Sequence, residues 1–169
     1  MMSELPVTRP EWLVSYVILR PSMKPKFELP SELVQGTSIN GNEYGWPPAL
    51  FPDAALRAES LGYACLGGQF QFRASVGTCE MYWLSADSTD RQPTEEWSAF
   101  CTRSRAEVLE RFHQIVAETD FQREAVRWPV LRSEMERGVD LLETLVFVAD
   151  FVTETEWLAD DGTGKQKPA

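Results

Sequence analysis

The sequence predicts an α+β domain, a small and mainly antiparallel sheet with helices packed against it. Three observations carry this. Residues 67–84, GGQFQFRASVGTCEMYWL, hold two runs that alternate bulky with polar side chains, joined by a short Gly-containing stretch. Residues 95–118 carry apolar side chains at helical spacing. The chain has 169 residues, 43% apolar and 25% charged, enough for one domain with its own core and ordinary for a soluble fold.

Residues 12–20, WLVSYVILR, are apolar on both alternations and rich in β-branched and aromatic types. They predict a strand covered on both faces, bounded by Pro10 and Pro21. Residues 21–47 contain four prolines and three glycines with little periodicity, which predicts a long irregular connection of the kind that often carries function. Residues 48–62 predict a helix that starts near Pro52, with Asp53 at its positive end, Gly62 as its stop, and Leu56 and Leu61 facing inward.

In the hairpin, Phe70 and Phe72 share one strand face, and Gln69, Gln71 and Arg73 the other. A loop over residues 74–77 reverses the chain, and Cys79, Met81 and Trp83 then share a face. Core packing is the first explanation for these aromatics, because they fall at sheet spacing. Gly67-Gly68 lacks both the Walker and the dinucleotide patterns and reads as a turn or bulge.

Thr94 is a candidate N-cap for the next helix, with Glu96 near the capping-box position. The stripe Phe100, Val108, Leu109, Phe112, Ile115 and Val116 is helical, with a break expected near residues 102–104 because Ser104 and Glu107 form a second capping box. A short helix is expected over 121–128, ending at Trp128-Pro129. Residues 133–152 predict one long helix, although the apolar stretch 145–152 also fits a buried strand. The domain spans 1–158, and residues 159–169 form a loose polar tail.

The charge is the unusual part of the composition, with a net value of -10 and a pI near 4.6. Such a surface repels nucleic acid and anionic lipid and attracts a basic protein, with more effect on association rate than on final affinity. Seven acids and no base lie between Arg137 and Lys165. They supply solubility or a docking surface for a cationic partner. No signal peptide is read at the N-terminus, and no stretch is long and apolar enough to span a bilayer. Cys65, Cys79 and Cys101, odd in number and irregular in spacing, fit reduced thiols in a cytoplasm.

No catalytic, metal or cofactor motif stands out. His113 is the one histidine, and no two cysteines lie close enough for a zinc site. A Cys–His pair would need Cys79 or Cys101 within hydrogen-bond reach of His113, and nothing in the sequence places them so. Glu95-Glu96 and Asp160-Asp161 are adjacent pairs, and neighbours on a helix do not face one another. Tyr44 and Trp46 lie in the turn-rich stretch SINGNEYGWPP, either as plugs that fix the connection to the core or as exposed anchors for a partner.

The pattern SLGYACLGGQFQF followed by GTCEMYWL, over residues 60–84, resembles bacterial immunity proteins encoded beside polymorphic toxins. That resemblance implies a protein, monomer or homodimer, that performs no reaction and binds one cognate toxin domain to occlude its active site. A basic nuclease toxin would complement the charge of -10. On this basis the candidate partner contacts are Tyr44, Trp46, Asp87, Asp90, Glu95 and Glu96, with the acidic C-terminal segment as the rival surface. A secretion chaperone or adaptor, which would cradle an apolar segment on an exposed sheet face, is one alternative. A small enzyme using Cys79 or Cys101 is another.

Overall fold

Alternation along the long strands sends one row of aromatic side chains to a single face of a five-stranded sheet. In the computed structural model, which describes residues 28–161, the elements run α1 (Ser31–Val34), β1 (Ser38–Asn40), β2 (Glu43–Trp46), α2 (Phe51–Ser60), β3 (Ala64–Ala74), β4 (Gly77–Asp87), α3 (Trp97–Glu118), α4 (Phe121–Ala125), α5 (Pro129–Glu136), β5 (Leu145–Val152) and α6 (Glu154–Asp161). The strand expected over 12–20 lies outside the described residues. The sheet order is β1-β2-β5-β3-β4 and every neighbouring pair is antiparallel, so the α+β class holds.

Phe70 and Phe72 of β3, Met81 of β4 and Phe147 of β5 are fully buried with Phe51 of α2 and Phe112 of α3. The ring centroids of Phe51 and Phe147 lie 4.5 Å apart, those of Phe112 and Phe147 5.1 Å, and those of Phe70 and Phe112 5.3 Å. These are contact distances for offset and edge-to-face aromatic pairs, whose specific geometry adds to the area they bury. α2 meets the sheet through Phe51, Ala54, Ala55 and Ala58, one stripe at helical spacing. Its small residues let the helix sit close to the strands. Leu56 and Leu61 therefore point outward instead of inward, with Leu56 55% exposed.

The irregular connection expected over 21–47 is ordered in its described part. Gly41, at φ +63°, turns β1 into β2 through a two-residue loop, a conformation that glycine adopts without steric cost. Arg73 of β3 holds this hairpin in place: its guanidinium donates to the Ser38 carbonyl oxygen at 2.6 Å and to the Glu43 carbonyl oxygen at 3.2 Å.

The long helix expected over 133–152 is not formed. α5 stops at Gly138, φ +87°, with the Val139 N–H returning to the Glu134 carbonyl in a helix-terminating turn. A 3-10 turn over Leu141–Thr144, capped by the Asp140 side chain on the Leu142 N–H, leads into β5. Leu145–Val152 is apolar on both alternations because β5 lies inside the sheet, between β2 and β3, and is buried along both faces.

α3 runs unbroken for 22 residues. Thr94 does not cap it; Glu96 occupies the N-cap position without a side-chain bond. Ser104 does not start a second helix either, because its hydroxyl is engaged with the sheet. α6 opens on a capping box between Thr153 and Glu156 and continues to Asp161, past the tail boundary expected at 159.

Candidate functional site

The end of β4 is where polar and aromatic side chains gather. β3 pairs with β4 in register from Ala74↔Gly77 to Phe70↔Met81, and the next pair is Gln69↔Ser85. Residues 82–84 have no partner on β3, so β4 bulges there and the alternation expected for Trp83 is lost. Trp83 does not join Cys79 and Met81 in the core. It is 43% exposed and its neighbour Tyr82 is 56% exposed. The two rings meet edge to face at 5.2 Å. Trp83 also lies nearly parallel to Trp128, with centroids 6.4 Å apart and 11° between the ring planes. Trp128 is half-buried and packs against the main core, so it seats Trp83 on the body of the domain.

Tyr82 and Asp87 open onto one cleft of about 420 Å³, together with Glu43, Gln69, Ser85 and Asp150. Gly67 and Gly68 also line it. β3 bulges against β5 at Leu66, between the Cys65↔Phe151 and Gly67↔Asp150 pairs, so the irregularity lies beside the two glycines, which are themselves paired inside the strand. Gly67 adopts φ +131°, and a Cβ on Gly68 would collide with the Val148 carbonyl oxygen.

The segment from Ser88 to Glu96, which links β4 to α3, is held by two arginines. Arg103 donates to both Glu95 carboxylate oxygens at 2.7 and 2.8 Å and to the Asp90 carbonyl at 3.0 Å, and it pairs with Glu107 at 3.0 Å. This fork holds the Glu95 carboxyl down to about 2, through its hydrogen bonds with Arg103. Glu107 accepts in turn from the Thr89 N–H at 2.8 Å. Arg91 lies over the Trp97 ring at 5.1 Å and reaches Glu154 at 3.1 Å, which ties this segment to the start of α6. The two surfaces that the sequence offers as rivals, the 87–96 region and the acidic C-terminal segment, are thereby joined.

The six candidate contacts divide. Trp46 is fully buried and its indole N–H donates to the Leu33 carbonyl at 2.8 Å; Tyr44 is buried beside it. Both plug the β1–β2 hairpin into the core, and this corrects their assignment as partner contacts. Glu95 is committed to Arg103 and acts as a clasp. Asp87, Asp90 and Glu96 are exposed, and their carboxylates form no hydrogen bond or ion pair among the described residues. Sequence reasoning missed Tyr82, Trp83 and Trp128. The adjacency of Tyr82 and Trp83 signals one exposed ring, since consecutive strand residues point to opposite faces; that both are exposed follows from the bulge.

The three cysteines are buried and free. Burial pushes the Cys65 thiol up to about 12 and those of Cys79 and Cys101 up to about 11, away from the thiolate that nucleophilic chemistry uses. His113 is exposed on α3 and packs edge to face on Phe112. Among the described residues no group of His, Cys, Asp and Glu is arranged to hold a metal ion, and no helix is long and apolar enough to cross a membrane. No family model, curated protein or solved structure matches the chain.

Proposed function

We propose that the protein is an immunity-type inhibitor, which binds a basic bacterial toxin domain and covers its active site without transforming a substrate. The observation that carries this reading is the placement of an exposed aromatic, Tyr82, and an unengaged carboxylate, Asp87, on one cleft at the end of β4. Aromatic side chains and complementary charge are the two elements that protein interfaces use for affinity and for steering. The charge of -10 favours a cationic partner and disfavours a second copy of the chain. Asp87, Asp90 and Glu96 supply the steering charge, and the Arg103 and Arg91 contacts keep their backbone fixed, so little ordering accompanies binding.

The test is co-expression with the product of the adjacent gene. A stable complex and relief of that product's toxicity are expected. Failure to form a complex or to relieve toxicity with any adjacent secreted protein removes the reading.

One observation favours a second reading, a secretion chaperone or adaptor: Tyr82 and Trp83 are exposed on the hairpin itself. A chaperone that cradles an apolar segment would bind with little dependence on salt, whereas binding of a basic domain weakens as salt rises.

A further inference from the structure

We infer that the Tyr82–Trp83–Trp128 cluster is an arginine-selective anchor, the point where a guanidinium of the basic partner stacks on exposed indole. This rests on the reading that the partner is cationic. Tyr82 and Trp83 are the exposed aromatics among the described residues, and both belong to the bulge at 82–84 in the middle of β4. Trp83 is held between its parallel neighbour Trp128 and the edge-to-face ring of Tyr82, so the 43% of it that is exposed is preorganised. Tyr82 shares its cleft with Glu43, Asp87 and Asp150, so that side of the cluster is lined by carboxylates, and Arg127 beside Trp128 is paired with Glu124 at 3.4 Å. A planar, weakly hydrated guanidinium gains from both the ring face and this charge, while an ammonium remains hydrated. The fold uses the same contact internally, with Arg91 over Trp97 at 5.1 Å and Arg103 over Phe100 at 5.3 Å. A second copy of the chain carries the same net charge of -10 and is disfavoured as the occupant.

The test uses the full chain and two probes of equal charge, hexa-arginine amide and hexa-lysine amide. Binding is followed through the indole N–H and backbone amide NMR signals, with W83F and W128F assigning the indoles. The expected result is that hexa-arginine shifts the Trp83 and Trp128 indoles and binds about threefold to tenfold more tightly than hexa-lysine. W83L, which keeps apolar bulk and removes the π face, then abolishes this preference. Equal binding of both peptides, perturbing only the amides near Asp87, Asp90 and Glu96, overturns the anchor and leaves the cationic-partner reading standing. No binding of either peptide overturns both. Self-association of the wild-type chain that W83L abolishes assigns the patch to a second copy and also overturns the anchor.

Discussion

Ser104, in the middle of α3, accepts the backbone N–H of Cys65 at 3.2 Å and donates to the Cys101 carbonyl at the same distance. Cys65 adjoins the β3 bulge, where the ladder with β5 is disturbed, and its amide is buried. A serine on the helix therefore satisfies a donor near an irregular stretch of the sheet. Removing the hydroxyl in Ser104→Ala leaves that N–H without an acceptor. The expected cost is about 1–3 kcal/mol, read as a lower urea midpoint with an unchanged slope. A midpoint equal to wild type contradicts this role.

Gly68 is predicted to be the least replaceable glycine in the sheet. A Cβ there meets the Val148 carbonyl oxygen, which is backbone in the neighbouring strand and has no flexible end to move aside. Gly68→Ala is expected to destabilise by about 3 kcal/mol, at the upper end of overpacking costs. Gly62→Ala, at φ +84° in open space, is the comparison and is strained only through its backbone. Thermal denaturation of the two variants checks the order.

How far the sequence revealed this fold depends on how locally each element is specified. The β3–β4 hairpin and α2 are legible because alternation, Pro52 and Gly62 mark them within a few residues. Leu145–Val152 is apolar on every side, a pattern that a buried helix and a buried strand share, and only its position between β2 and β3 makes it a strand. The exposure of Trp83 comes from a register shift with no residue signature, so it stayed hidden. Trp46 was legible only as a choice between plug and anchor, and its hydrogen bond to Leu33 is a tertiary fact. Within the candidate site, the acids Asp87, Asp90 and Glu96 were legible from charge and position. The arginines that organise them were not, because Arg103 lies on a helix face that charge balance made look merely solvated.

The Glu95–Arg103 pair predicts a pH dependence. The Glu95 carboxyl is lowered in the folded chain from an ordinary 4.5 to about 2, so its contribution is present above the unfolded value and disappears as pH falls from there through about 2. The stability difference between wild type and Glu95→Gln should be constant near neutral pH and shrink over that acid window. The pair lies near the surface, so added salt should reduce the difference. A difference that persists unchanged at the acid end contradicts the ion pair as its source.

The thiols predict an inert native state. Cys65, Cys79 and Cys101 are buried and their pKa values are pushed to about 11 or 12 by desolvation. A disulfide reagent at neutral pH should label the folded chain slowly, at a rate set by opening of the fold, and label three thiols at once in denaturant. One fast-reacting native thiol would reopen the cysteine-dependent enzyme.

The most direct measurement is the association rate between this protein and the product of its adjacent gene, followed as ionic strength is raised. The account predicts a rate that falls at least about tenfold from low to high salt, with most of that dependence removed in the Asp87→Lys/Asp90→Lys/Glu96→Lys variant. A complex that forms at a salt-independent rate, or at the same rate in that variant, would contradict it.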